Sequence, residues 1–372
     1  MRERAENKND VLKLQKKAKQ TNFFHDLQCP SGFGDRILDI WATATIARLL
    51  EPAARLSIRW SNGLEFQAFS AVYATDLFTI NNIQFVNSSP PDSTNTDKRF
   101  SRTHLNEKCI IPISPDTLQI VLRGGRSWAT SSPKRIFNDA VHYGLNADLD
   151  LGEIMSTFRH IATTTVPKDQ IARAIPNDAG KRVGIHVRLS DKLVKRESPW
   201  DMSVVTWRFI EAKSIACIEQ CVTNDEPMLI CSDDPDYRDA LIQYIRSKGG
   251  DAITTALPPS LSNKPGAEAL LDFFALASTS RIIQMSKYST FSMAAALTGN
   301  IPLVNLYDDE SKAGTCLDVW AATFVRLISS EEELGRPFEG LPLKQRILLF
   351  GPRARNFLSE IVRNTRKSIF GK

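Results

Sequence analysis

The chain has 372 residues, 42% of them apolar and 24% charged, which at about 100–200 residues per domain is enough for two domains with cores of normal size. Its net charge of +5 is carried by the ends, +4 in residues 1–20 and +6 in residues 345–372, leaving −5 on the body; basic ends on an acidic body suit a partner or membrane-surface contact and exclude a groove for a phosphate backbone. No run of about 18 apolar residues is present to span a membrane, and the polar start "MRERAENKND" lacks the apolar segment of a signal peptide, so a cytoplasmic protein is expected, with a luminal enzyme whose anchor lies outside this sequence as the alternative.

In chain order, residues 1–28 read as a charged lead-in, helical in part. A first domain is expected over 29–165. It opens on "CPSGFGDRILDIWATATIARLL", a glycine turn (Gly32, Gly34) running into an apolar helix. Short strands follow at "RLSIRW" (55–60), "IQFV" (83–86), "CIIPI" (109–113) and "LQIVLRG" (118–124), with a Ser/Pro/Asn/Asp-rich loop over 87–98. Residues 166–181, with prolines and a glycine, read as a linker. The second domain, 182–330, alternates strands at "RVGIHVR" (182–188), "MLICS" (228–232), "DAITTA" (251–256), "RIIQMS" (281–286) and "PLVNLY" (302–307) with helices over 201–223, 235–248, 266–280, 290–299 and 313–328. Strand and helix in alternation predict a parallel sheet covered on both faces. Two such α/β, Rossmann-like domains facing one cleft is the expected architecture, with a basic helical segment over 331–372.

Ligands of open parallel sheets bind beyond the carboxyl ends of the strands, and three strands here end in polar residues. The first carries His186 and Arg188, with Asp191 just beyond; the second runs into Ser232-Asp233-Asp234-Pro235; the fourth is followed by "SKYSTFS", which includes Ser289, Thr290, Phe291 and Ser292. Each has a plain alternative. Asp234-Pro235 is a good helix start, Ser289 or Thr290 can cap a helix, and a strand histidine is commonly a core residue. Arg188 is harder to place without an anion, because a guanidinium stays charged. An arginine beside a hydroxyl-rich helix start suits phosphate. No GxxxxGK[ST] and no GxGxxG occurs, which removes P-loop and dinucleotide enzymes. An acidic pair such as Asp233-Asp234 can accept from the N1–H and N2–H₂ edge of guanine, so a guanine nucleoside diphosphate is the ligand this chemistry sketches. The six cysteines (29, 109, 217, 221, 231, 316) show no CxxC or Cys/His spacing. Cys217 and Cys221 share a helix face with no second pair to complete a zinc site. No metal or cofactor is expected.

These stretches resemble a known family. "GIHVRLSDK" is similar to the His-x-Arg-Arg-x-Asp-Lys motif of the GDP-fucose-dependent fucosyltransferases, "CSDDP" to their second motif, and "ALLDFFALASTSRIIQMSKYSTFSMAAAL" to their third. "GFGDRILDIWATATIARLL" with "RLSIRW" resembles the start of the nodulation-type α-1,6-fucosyltransferases. The likeness covers about 29–60 and 182–300. It implies a GT-B-type architecture, with 29–165 as the acceptor-side domain and 182–330 as the nucleotide-sugar domain, and metal-independent, inverting transfer of fucose from GDP-fucose to a glycan or related hydroxyl. It implies that Arg188 holds the β-phosphate, that His186 and the Asp233/Asp234 pair read guanine, and that Asp272 is the motif aspartate of the third block. Glu197, displaced by about one position, stands near the family's base. Leu189 departs from the pattern where many members carry a second arginine. Two alternatives remain open at this point: a transferase for another nucleotide sugar such as GDP-mannose, and a non-catalytic nucleotide-sugar or glycan-binding protein. Trp200 and Trp207 suit either a sugar platform or helix packing. Partners are a nucleotide-sugar donor and a glycan acceptor, with no nucleic acid and no transmembrane segment; the oligomeric state is not legible.

Overall fold

The computed structural model describes residues 20–27, 32–60, 77–86, 109–114, 117–123, 151–189, 192–193, 202–264, 266–287 and 289–305. In chain order these form β1 (Gln20–Leu27), α1 (Phe33–Leu50), β2 (Arg55–Trp60), β3 (Phe78–Thr79), β4 (Ile83–Phe85), β5 (Cys109–Ser114) and β6 (Thr117–Arg123). Then come α2 (Leu151–Thr163), β7 (Val166–Pro167), α3 (Asp169–Ala172), β8 (Val183–Val187), α4 (Val204–Thr223), β9 (Met228–Ser232) and α5 (Pro235–Ser247). The last elements are β10 (Ala252–Ile253), α6 (Ala267–Ala277), β11 (Arg281–Met285), α7 (Thr290–Gly299) and β12 (Leu303–Asn305).

Two five-stranded sheets result, ordered β4-β2-β1-β6-β5 and β10-β9-β8-β11-β12. Every pair in the second sheet is parallel. In the first only β5 runs antiparallel, against β6. The expected α/β architecture with two Rossmann-like halves is therefore what the chain forms. β8 and β9 are buried at every position and β11 at all but its first, as a parallel sheet covered on both faces requires. The linker expected over 166–181 is partly structured: β7 pairs with β3 in a separate two-stranded sheet, which ties the linker to the first half.

One expectation fails at the amino end. The first half does not begin near Cys29, because β1 starts at Gln20 and is the central strand of the first sheet. Its apolar signal is only Phe23, Phe24 and Leu27, interrupted by His25 and Asp26. A histidine is tolerated inside this strand because His25 Nε2 lies 3.2 Å from Asp39 Oδ2 of α1, both residues buried. The strand expected over 251–256 shrinks to two residues, and α2 has no counterpart in the sequence reading.

α1 is buried from Arg36 to Ala47 on all sides, the mark of a helix packed within the protein on every face. It lies on the first sheet and against α2 and α7. One apolar cluster consequently runs through both halves, from Phe23, Trp41 and Phe158 to Leu270, Phe273 and Leu297. A second fills the far face of the second sheet, around Val187, Trp207, Tyr237 and Met285. Trp207 is thus a core residue. Asp191, Glu197, Trp200, the helix expected over 313–328 and the segment 331–372 lie outside the described residues.

Candidate functional site

The second sheet has a topological switch. From β8 the chain passes through α4 to β9 on one side; from β11 it passes through α7 to β12 on the other. Between the carboxyl ends of β8 and β11 no crossover helix can close the edge, which leaves a crevice. His186 sits there, in register with Gln284 of β11 and Cys231 of β9. Arg188 follows it just past the strand end.

The other half closes onto this crevice. A Cβ built on Gly32, the residue before α1, would lie 3.9 Å from both terminal nitrogens of Arg188. One built on Gly34 would lie 2.5 Å from the carbonyl carbon of Thr290 and 2.7 Å from Cα of Phe291. The first turns of α1 and α7 therefore abut, with the Arg188 guanidinium beside the start of α1. Phe291 stacks on the His186 ring at 5.1 Å and packs edge-on against Phe273 and Phe33.

Two helix starts at this point lack a side-chain cap. Neither Gly32 nor Ser289 caps α1 or α7 by a side-chain hydrogen bond, whereas Ser203 and Asp234 close α4 and α5. The hydroxyls of Ser286 and Ser289 and the Nδ1 of His186 are buried with no hydrogen-bond partner among the described residues. Buried polar atoms of native proteins nearly always have a partner, so a cluster of three at one crevice points to a polar ligand. Burial, helped by the charge of Arg188, pushes the pKa of His186 down to about 3. Its imidazole is neutral at physiological pH and has both a donor and an acceptor edge.

The remaining predicted residues fall into distinct local roles. Asp234 Oδ1 accepts from Tyr237 N at 3.1 Å, the cap of α5 that the Asp-Pro pair suggests. Asp233 Oδ1 accepts from Leu189 N at 2.8 Å and ties the end of β9 to the end of β8. Ser292 donates to Gln284 Oε1 at 2.7 Å and is wholly buried, so its hydroxyl orients the strand residue beside His186. Leu189 is buried in the far-face apolar cluster; at this position the chain carries a packing residue.

Asp272 stands apart from the arginine, on α6 towards the ends of β9 and β10. Its carboxylate accepts from Thr255 Oγ1 and its carbonyl faces Cys231 Sγ at 4.0 Å. Burial, the largest influence, raises its pKa to about 6. Sequence reasoning does not single out Thr255, Ser286 or the fully buried Lys287, which lies two residues past the end of β11. The last two lie in the hydroxyl-rich stretch already noticed; Thr255 gives no signal, because its partner is 17 residues away in another element.

No protein family and no curated protein matches the chain. Solved structures do. The NodZ alpha-1,6-fucosyltransferase soaked with GDP-fucose is 16% identical, with a TM-score of 0.45, covering 78% of this chain and 96% of its own. POFUT1 in complex with GDP is 11% identical, with a TM-score of 0.41, covering 76% and 95%. The E. coli heptosyltransferase WaaC with ADP is 10% identical, with a TM-score of 0.35, covering 76% and 86%.

Proposed function

We propose that the chain is an inverting, metal-independent glycosyltransferase that moves fucose from GDP-fucose to an acceptor hydroxyl. The observation that carries this reading is the convergence on one crevice of Arg188, the starts of α1 and α7, and the buried polar atoms of His186, Ser286 and Ser289. Positive helix ends and a guanidinium are complementary to a diphosphate. The sugar identity comes from the motif resemblance alone.

In this mechanism the acceptor oxygen attacks the anomeric carbon as the bond from that carbon to the β-phosphate oxygen breaks. Negative charge grows on the diphosphate. Arg188 and the first-turn amides of α7 meet that charge, and preorganised donors of this kind are each worth about 10²–10³ in rate. The acceptor proton goes to a carboxylate, for which Glu197 is the proposal. The base lies towards Asp272, whose carboxylate accepts from N1–H and N2–H₂ of guanine, while the neutral His186 meets the nucleotide between base and phosphates. This assignment follows from the position of Asp272 and from the local engagement of Asp233 and Asp234 with backbone amides.

The test is calorimetric titration with GDP, GDP-fucose, ADP and UDP, followed by a GDP-release assay over chitooligosaccharide, N-glycan and peptide acceptors. Tight GDP binding with turnover of GDP-fucose is expected. Equal binding of all three nucleotides would reduce the reading to a general diphosphate site, and binding without turnover on any acceptor would favour a binding protein.

A further inference from the structure

The β8 ladder ends at Val187, which pairs with Ser232 on one side and Met285 on the other. Arg188 comes next and has no ladder position of its own to fix it. Two contacts instead hold the residue after it. The Leu189 side chain is buried with Val187, Met202 and Met285 on the far face of the sheet. The Leu189 amide donates to Asp233 Oδ1 at 2.8 Å.

That amide belongs to the peptide unit that carries the Arg188 carbonyl, and peptide units are planar. With the preceding residue held in the β8 ladder, fixing this peptide as well sets φ and ψ of Arg188 and so the Cα–Cβ direction from which the side chain runs towards Gly32. Asp233 is itself well anchored. It follows Ser232 of β9 directly, Asp234 N donates to Ser232 Oγ at 3.1 Å, and the Asp234 side chain caps α5. α5 in turn is tied to α4 through the Tyr237 hydroxyl, which donates to Glu211 Oε1 at 2.9 Å. The carboxylate thus reaches one strand over from a rigid base.

We infer that Asp233 is a positioning residue: it holds the peptide after Arg188 so that the guanidinium is set for the diphosphate, and it does not read the base. This inference rests on the diphosphate site proposed above.

The test uses full-length Asp233→Ala and Asp233→Asn, with melting curves to show that both fold. Hydrogen exchange of the peptide spanning Leu189 is measured without ligand, and GDP, ADP and GMP are titrated. Asparagine keeps an acceptor oxygen for the amide; alanine has none. In the alanine variant the Leu189 amide should exchange at least about tenfold faster and GDP affinity should fall about tenfold, the scale of one charge-assisted hydrogen bond. GMP binding should change little, the GDP-to-ADP ratio should hold, and asparagine should restore both readouts. Unchanged exchange in Asp233→Ala would overturn the inference. So would an asparagine variant as weak as alanine with GDP reduced to the level of ADP, since that is the signature of a carboxylate on the base. If the wild type binds no nucleoside diphosphate, the diphosphate reading falls, and the exchange measurement alone still decides what Asp233 does to Leu189.

Discussion

Gly34 is packed against Thr290 so closely that a Cβ there would lie 2.5 Å from the threonine carbonyl carbon. The atom it meets is backbone, at the joint between the two halves. Alanine in a helix ordinarily gains up to about 1 kcal/mol over glycine. Here Gly34→Ala should instead destabilise by about 1–3 kcal/mol, as overpacking does, and should weaken GDP binding by pushing α1 away from α7. Gly32→Ala, with 3.9 Å to the nearest atoms of Arg188, should leave stability nearly unchanged. Denaturant melts of the two variants, side by side, check the contrast; equal melts would remove the tight joint.

Arg188→Ala should cut GDP affinity by about 1.5–3 kcal/mol, the worth of a charge-assisted hydrogen bond, and leave the fold intact because the side chain is only partly buried. Arg188→Lys should rescue little, since an ammonium lacks the planar fork. Titration and turnover of both variants are the measurements. Near-wild-type turnover in the alanine variant would sink the phosphate assignment.

Asp272 should make GDP binding sensitive to pH. Its pKa is raised to about 6, chiefly by burial, so above that value it is a carboxylate that accepts from guanine and below it a neutral acid facing the same N–H groups. GDP affinity should therefore fall as pH drops through about 6. At pH 7.5 the wild type should prefer GDP to ADP by at least about 100-fold, or about 2.7 kcal/mol, and Asp272→Ala should lose most of that preference. Asp234→Ala should keep the preference and lose only about 1 kcal/mol of stability with its helix cap. Competition binding across pH 5–8 separates the two aspartates.

Glu211 gives a separate pH effect, on stability. It is buried between α4 and α5 with Tyr237 and Arg208 as its polar neighbours. Burial pushes its pKa up from 4.5 to about 7, against the opposing influence of those two groups. Between these values the native state keeps a proton that the unfolded chain has lost, so stability falls as pH rises through this window. At about 1.4 kcal/mol per unit the effect is about 3 kcal/mol. Glu211→Gln should flatten that slope while keeping an acceptor for Tyr237. Melts at pH 4.5 and 7.5 on wild type and variant test it; parallel slopes would refute it.

Activity should survive EDTA. The proposed charge stabilisation is supplied by Arg188 and the first-turn amides of α7, with no step assigned to a metal. Loss of turnover on chelation, restored by Mn²⁺ or Mg²⁺, would move the chemistry to a metal-dependent class.

Much of the second half is legible in the sequence because its signals are local. Runs such as "MLICS" and "RIIQM" become fully or nearly fully buried strands, and the Asp-Pro pair at 234–235 starts α5 as a cap should. The polar residues at strand ends are legible too, since a parallel sheet gathers strand ends whatever the details of its packing. Other features depend on partners far away in the chain. β1 reads as part of a charged lead-in because the group that makes its histidine tolerable, Asp39, lies 14 residues on and in a helix. Leu189 reads as a missing cation beside the phosphates, yet the fold turns it into the far-face core. Asp233 and Asp234 are neighbours with the same side chain; one reaches the next strand and the other its own helix. Composition and periodicity determine which segments become strands and helices, because those follow from local burial patterns. Which polar group meets which is decided only when strand order and helix packing set the distances, since hydrogen bonds act over about 3 Å and sequence neighbours need not share a partner.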